Sequence, residues 1–254
     1  MRPVERRQEF LQQEGYLIVR KFFSTEEIAK VAEAQNAYYR GKFDSKPEFD
    51  WVGPRPCTAR SRKHPYASFY LSPLAKLLRD GRLAKLVKET VGMESIRFWH
   101  DQLLYEEPKP SAKLDYHWHR ENSRWLTCAA SQMATAWIPL TNFTHEMGPI
   151  TIVPNGRGPS EKKRIVLNAG DLVMFPAETL HGNPPNLGDQ PRRAVAAHFA
   201  SGDLRYQMSG NFKHVNERLV RHIDDIPDFS DERVCPLIGD LSVLNNEDAI
   251  AELR

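Results

Sequence analysis

Apolar residues recur along this chain in two rhythms, and the change between them comes near Gly92. Before it the spacing is helical. Arg7 to Gly15 reads as a short helix stopped by a glycine, and Ser24 with Glu27 three residues on is a capping box opening a second helix through Ile28, Val31 and Ala32. Leu74, Leu77, Leu78, Leu83, Leu86 and Val87 mark a further helical stretch between Leu71 and Val91, and Tyr16-Leu17-Ile18-Val19 is a predicted strand between helices. After Gly92 come short β-type runs: Ile96 to Trp99, Gln102 to Tyr105, Thr135 to Ile138, Ile150 to Val153, Arg164 to Leu167, Asp171 to Phe175 and Ala194 to Phe199. Turn residues such as Pro108, Asn142 and Pro154-Asn155-Gly156 separate them. Strands in such succession, with no helices between, predict antiparallel pairing in a sandwich or jelly roll. The expected class is therefore mainly β with flanking helices.

Between Gly41 and Ser72 neither rhythm holds, and prolines, basic residues and aromatics alternate through Trp51 and Arg55 to Arg60, Arg62, Lys63, His64 and Tyr66. Long irregular segments inside compact domains are usually functional or disordered. The plain reading is a solvated basic loop; the sharper one is recognition of an anionic small molecule or carrier group, with Arg60 and Arg62 as substrate contacts. A chain of 254 residues suits one domain, with a helical part over about 1–92, a β core over about 93–206 and a polar C-terminal extension over about 207–254.

Composition narrows the partners. Lysine and arginine number 35 against 33 acidic residues, a formal charge of +2, which gives no field arguing for nucleic acid. Cys57, Cys128 and Cys235 are odd in number and form no CxxC pair, so neither a disulfide framework nor a thiolate zinc site is indicated. No window approaches 18 apolar residues and the charged N-terminus lacks a signal-peptide core, so no membrane span is expected and the predicted setting is cytoplasmic.

The chemistry concentrates in Tyr116-His117-Trp118-His119-Arg120-Glu121 and, sixty residues on, in His181-Gly182-Asn183 and Pro191-Arg192-Arg193. His119, Glu121 and His181 form a candidate two-histidine, one-carboxylate metal site. Three such ligands on one face of Fe(II) leave positions open for a bidentate keto acid and O2. A guanidinium at Arg192 can grip the far carboxylate of 2-oxoglutarate through parallel hydrogen bonds. On an extended strand His117, His119 and Glu121 share a face by period-two alternation, which places His117 toward the same cavity as a substrate contact. The pairing of His117 and His119 with Glu121 is a cupin-like alternative, and a merely solvated polar strand is the bland one. Arg193 should face away from Arg192 as a surface residue. Trp137 and His198 read most simply as interior side chains.

With these motifs the chain resembles the phytanoyl-CoA dioxygenase family of iron- and 2-oxoglutarate-dependent oxygenases. The likeness runs from Glu14-Gly15-Tyr16-Leu17-Ile18 through Trp118-His119-Arg120-Glu121, Trp137-Ile138-Pro139-Leu140, Gly148-Pro149-Ile150, Gly170-Asp171 and His181 to Pro191-Arg192-Arg193-Ala194. The resemblance implies a double-stranded β-helix, Fe(II) on His119, Glu121 and His181, and Arg192 on the distal carboxylate of 2-oxoglutarate. It also implies that Trp137 and Asn183 line the cosubstrate site and that Arg120 adds positive charge beside it. Glu121 stands where the family usually has aspartate, and a carboxylate there argues against halogenation. The implied activity is oxidation of an unactivated C–H bond of a small metabolite or natural-product intermediate, hydroxylation being the default and desaturation or cyclisation the variants. O2 and 2-oxoglutarate are consumed, and succinate and CO2 are formed. The rival expectation is a non-catalytic or cupin-type metal-binding jelly-roll protein.

Overall fold

The predicted capping box is formed: Ser24 Oγ accepts from Glu27 N–H at 3.2 Å, and Ser24 N–H donates to Glu27 Oε2 at 2.8 Å. The computed structural model of the chain describes residues 3–49, 57–79, 81–109, 117–209 and 214–238; Trp51, Arg55, Tyr116 and the extension beyond residue 238 lie outside the described residues. In chain order the elements are α1 (Pro3–Glu14), β1 (Leu17–Val19), α2 (Thr25–Tyr38), β2 (Ser61–Pro65), α3 (Ser72–Leu78), α4 (Gly81–Val91), β3 (Ile96–Glu106), β4 (Cys128–Ala129), β5 (Met133–Pro139) and β6 (Thr151–Ile152). They continue with β7 (Lys163–Arg164), β8 (Leu172–Pro176), β9 (His181–Gly182), β10 (Arg192–Ser201), β11 (Arg205–Tyr206), α5 (Asn216–Leu219), β12 (His222–Ile223) and β13 (Ile226–Pro227).

Six strands form a major antiparallel sheet in the order β1-β8-β5-β10-β3-β2, and β7-β6-β9 form the smaller sheet of the jelly roll. Two short pairs, β4 with β11 and β12 with β13, stand apart from both. Because side chains alternate along a strand, the major sheet buries two different sets. Leu103, Val195, Ala136 and Met174 face the helices in one core, which includes Val31 and Leu74; Trp137, Val173, Phe175 and Ala194 face Ile150, Ile152 and Ile165 around the smaller sheet in the other. Each fully buried Leu, Ile or Phe contributes about 1.5–3 kcal/mol.

Four expectations change. The β run predicted over Arg164 to Leu167 is a strand only at Lys163–Arg164, β7. The stretch from Leu71 to Val91 is two helices, α3 and α4, broken after Arg79 with Gly81 opening the second. The two runs at 96–99 and 102–105 are one strand, β3. The irregular segment between Gly41 and Ser72 contains β2, which pairs with β3 along the sheet edge from Ser61↔Glu106 to Pro65↔Gln102. Its sequence, Ser-Arg-Lys-His-Pro, lacks apolar alternation because an edge strand at a cavity needs none.

Candidate active site

A cavity of about 200 Å³ opens between the two sheets. Register explains its wall. Arg192 lies opposite Glu106, Ala194 opposite Leu104 and Ala196 opposite Gln102 across β10 and β3, while Ala196 also faces Trp137 of β5. All seven share one face of the major sheet, and all line the cavity. On the far side β9 carries His181, and a two-bond β-bridge joins it to His119, each backbone N–H donating to the other's carbonyl at 3.0 Å.

His119, Glu121 and His181 converge at the cavity floor. Their donor atoms lie within 4.8 Å of one another, with Glu121 Oε1 at 3.7 Å from His119 Nε2 and 3.5 Å from His181 Nε2. The outer ring nitrogens are spoken for: His119 Nδ1 meets the His117 carbonyl at 2.9 Å and His181 Nδ1 the Thr179 carbonyl at 2.9 Å. A carbonyl can only accept, so each Nδ1 carries a proton for it and each ring turns its Nε2 inward. Two ring nitrogens and a carboxylate then face one point, a ligand set that suits a cation between them. Donors at about 2.1 Å from a metal and at right angles stand about 3 Å apart, which small side-chain adjustments reach from 3.5 Å. Burial opposes the charge on Glu121, yet His119, His181 and His198 hold its carboxyl well below the usual range. These residues therefore fit a divalent metal.

This triad is assembled otherwise than by a strand. His117 adopts a left-handed conformation (φ 45°) and Glu121 starts a 3₁₀ turn, Glu121–Ser123, so period-two alternation does not apply between them. His117 is exposed, and its carbonyl orients His119. The cupin-like trio of His117, His119 and Glu121 is not brought together; the His119, Glu121 and His181 set is. Arg120 is exposed and its guanidinium donates to the Glu178 carbonyl, away from the cavity wall expected for it.

Arg192, Trp137 and Asn183 line the cavity. Arg192 is 9% exposed, and its Nη1 sits in a cradle of carbonyls: Met147 at 3.2 Å, Pro184 at 2.8 Å and Gly148 closer still. Its Nη2 donates to Glu106 Oε2 at 2.5 Å. Burial lowers the arginine pKa and Glu106 opposes that shift, so the guanidinium stays charged. Gly148 is required by the cradle: at φ +66°, a Cβ there would lie 2.3 Å from the Pro184 carbonyl and 2.7 Å from Arg192 Nη1. Arg193 does face the other way, but it is no loose surface residue. It donates to Gln35 Oε1 (2.5 Å), the Ala32 carbonyl (2.6 Å) and Asn36 Oδ1 (3.1 Å), clamping α2 to β10.

The basic residues in and just before β2 sort by position. Arg60 is exposed and pairs with Glu107 at 3.3 Å. Arg62 reaches the cavity rim, but its guanidinium stacks on Tyr39 (4.8 Å) and Tyr105 (4.4 Å) on the helix side of the sheet. Lys63 and Ser61, in the alternate phase, face the cavity. Packing lowers the Lys63 ammonium pKa, and the Glu121 carboxylate opposes the shift. Glu106, Gln102 and Thr135 are polar lining residues that sequence reasoning missed, and Lys63 was named only as one member of the basic run; alternation along Gln102, Leu104 and Glu106 was the available signal, legible only once β3 was known to pair with β10.

The phytanoyl-CoA dioxygenase family profile matches residues 11–194. The chain is 22% identical to ectoine dioxygenase of Bordetella parapertussis over 224 residues, 72% of this chain and 71% of that one. Among solved structures, the alpha-ketoglutarate-dependent epimerase SnoN of nogalamycin biosynthesis is 21% identical with a TM-score of 0.72, covering 93% of this chain and 98% of its own; it is also known in complex with Fe³⁺, alpha ketoglutarate and nogalamycin RO. The carbocyclase SnoK of the same biosynthesis is 18% identical with a TM-score of 0.72, over 92% and 96% of the two chains. With a match across most of its length and a His-Glu-His triad in a jelly-roll cavity, the chain belongs to the phytanoyl-CoA dioxygenase family and is an Fe(II)- and 2-oxoglutarate-dependent dioxygenase.

Proposed function

We propose that His119, Glu121 and His181 are the iron ligands, that Arg192 holds the distal carboxylate of 2-oxoglutarate, and that the substrate is a small molecule oxidised at an unactivated C–H bond. The observation that supports this reading is one cavity lined at its floor by the inward-turned triad and at its wall by a buried, cradled arginine. Bound Fe(II), with 2-oxoglutarate and O2, supplies oxidation of the C–H bond while the keto acid leaves as succinate and CO2. The protein's share is placement. The His117 and Thr179 carbonyls fix both imidazoles, Trp137 and Phe175 exclude water, and the carbonyl cradle aims Arg192 along the wall. Lys63, which has no ion-pair partner among the described residues, stands ready for an anionic group of the substrate. Hydroxylation is the default outcome. Stereochemical inversion or ring closure is the second reading, supported by the near full-length likeness to an epimerase and a carbocyclase.

Purified protein should bind one Fe(II) per chain and form succinate from 2-oxoglutarate, with candidate metabolites screened for stimulation. His119→Ala or His181→Ala should abolish tight metal binding and turnover, while His117→Ala, which keeps the carbonyl that orients His119, should retain iron. Loss of iron in His117→Ala with retention in His119→Ala would reverse the ligand assignment. Iron binding without succinate formation under any substrate would favour the non-catalytic rival.

A further inference from the structure

Glu106 and Arg192 are Cα partners at the ends of β3 and β10, and Glu106 Oε2 takes the Nη2 donor at 2.5 Å. A buried guanidinium needs an anionic partner, and Nη1 is already committed to three backbone carbonyls. The Nη2 side is therefore where a ligand carboxylate must be received, and Glu106 sits on it. A second cation is at hand: Lys109 Nζ lies 3.7 Å from Glu106 Oε1, with its side chain 40% exposed. The backbone around this group is pinned, since Asn186 Nδ2 donates to the Glu106 carbonyl at 3.2 Å and Lys109 N–H to the Asn186 carbonyl at 2.6 Å. Exchange of partners then requires only rotation of the Glu106 side chain.

We propose that Glu106 is a displaceable stand-in for the cosubstrate: it occupies Arg192 in the empty site and hands Nη2 to the distal carboxylate of 2-oxoglutarate, moving its own charge to Lys109. This rests on the reading of Arg192 as the cosubstrate clamp. Glu106 is a positioning residue, one that sets cosubstrate affinity by competition. A clamp held by an internal carboxylate binds its ligand more weakly by the fraction of time it is free. The same competition discriminates between ligands, because a keto acid without a distal carboxylate neither needs Arg192 nor has to displace Glu106.

The test is calorimetric titration of anaerobic Fe(II)-loaded protein with 2-oxoglutarate and, separately, with pyruvate. Glu106→Gln keeps an amide oxygen for Arg192 but removes the competing charge, so 2-oxoglutarate should bind about tenfold more tightly while pyruvate is unchanged. Lys109→Gln, at a partly exposed site, removes the alternative partner and should weaken 2-oxoglutarate several-fold in the wild-type background and not at all when combined with Glu106→Gln. Unchanged or weaker 2-oxoglutarate binding in Glu106→Gln, or equal tightening of pyruvate, would overturn the proposal. An Arg192→Gln arm separates the two levels. If that variant binds 2-oxoglutarate as the wild type does, the clamp reading itself fails; if it loses most of the affinity while Glu106→Gln gains none, only the exchange fails.

Discussion

Arg192 and Arg193 occupy opposite faces of β10, and each is held by partners from a different layer of the fold. Removing Arg192 should raise the 2-oxoglutarate requirement on the order of a hundredfold, the loss of a buried, charged hydrogen-bonded contact. Removing Arg193 should leave that requirement alone and instead loosen α2, which it holds by three hydrogen bonds; unfolding in urea should show a loss of about 1–3 kcal/mol. A shift in 2-oxoglutarate KM of equal size for the two alanine variants would contradict this division. Gly148→Ala offers a sharper probe of the cradle, because its Cβ would collide with the Pro184 carbonyl and Arg192 Nη1 in a left-handed backbone. Cosubstrate binding should weaken at least as much as stability falls, since the displaced atom is the clamp itself. A variant that is less stable yet binds 2-oxoglutarate normally would show that Arg192 tolerates a shifted cradle.

At the scale of elements, β2 decides which basic side chains meet the cavity. Its pairing with β3 puts Ser61 and Lys63 on the cavity face and turns Arg62 between the Tyr39 and Tyr105 rings. Arg62→Gln should therefore lower stability by about 0.5–2 kcal/mol through lost stacking, whereas Lys63→Gln should raise the KM of an anionic substrate and leave the substrate-free conversion of 2-oxoglutarate unchanged. Substrate-stimulated succinate formation, compared with the basal rate for both variants, distinguishes them; the reverse pattern would mean that β2 is out of register by one residue, which flips every side chain to the other face.

The whole molecule carries a buried histidine cluster that supplies no member of the metal triad, though the charge of Glu121 reaches it. His100 stacks against His198 at 4.3 Å and His214 at 4.7 Å, beside Trp99 and Trp125. Burial pushes His198 down to about 4, His214 to about 3 and His100 well below its ordinary value. In the unfolded chain these groups take up protons below about pH 6.5, whereas the folded protein does not until far lower pH, so stability falls as pH drops. Asp101 acts oppositely: burial raises it to about 6, so the folded state gains its proton first. Three histidines against one aspartate leave a net loss of up to about 3 kcal/mol per pH unit between pH 6 and 4. Urea midpoints of the metal-free protein should decline from pH 7 to pH 5, and His100→Gln should flatten the slope. A midpoint constant across that range would mean that the cluster protonates within the fold.

What the sequence alone determined is what depends on near neighbours in the chain. The capping box at Ser24, the helical rhythm before Gly92 and most β runs after it follow from spacing within a few residues, while His119, Glu121, His181 and Arg192 stood out as a candidate set through the order of short motifs along the chain and the family resemblance they carry. Tertiary structure decided everything that depends on register and on irregular backbone. Residues 117 to 121 read as a strand because alternation suited them; a left-handed His117, a bridge to His181 and a 3₁₀ turn at Glu121 build the triad instead. Glu106 is an unremarked strand end until β10, 86 residues on, brings Arg192 to it. Lys63 and Arg62 are equivalent neighbours in a basic run until pairing with β3 sends one to the cavity and the other to the helices. Cross-strand contacts are set by pairing between segments far apart in sequence, and that pairing is fixed by burying a whole sheet face at once, which no local pattern contains.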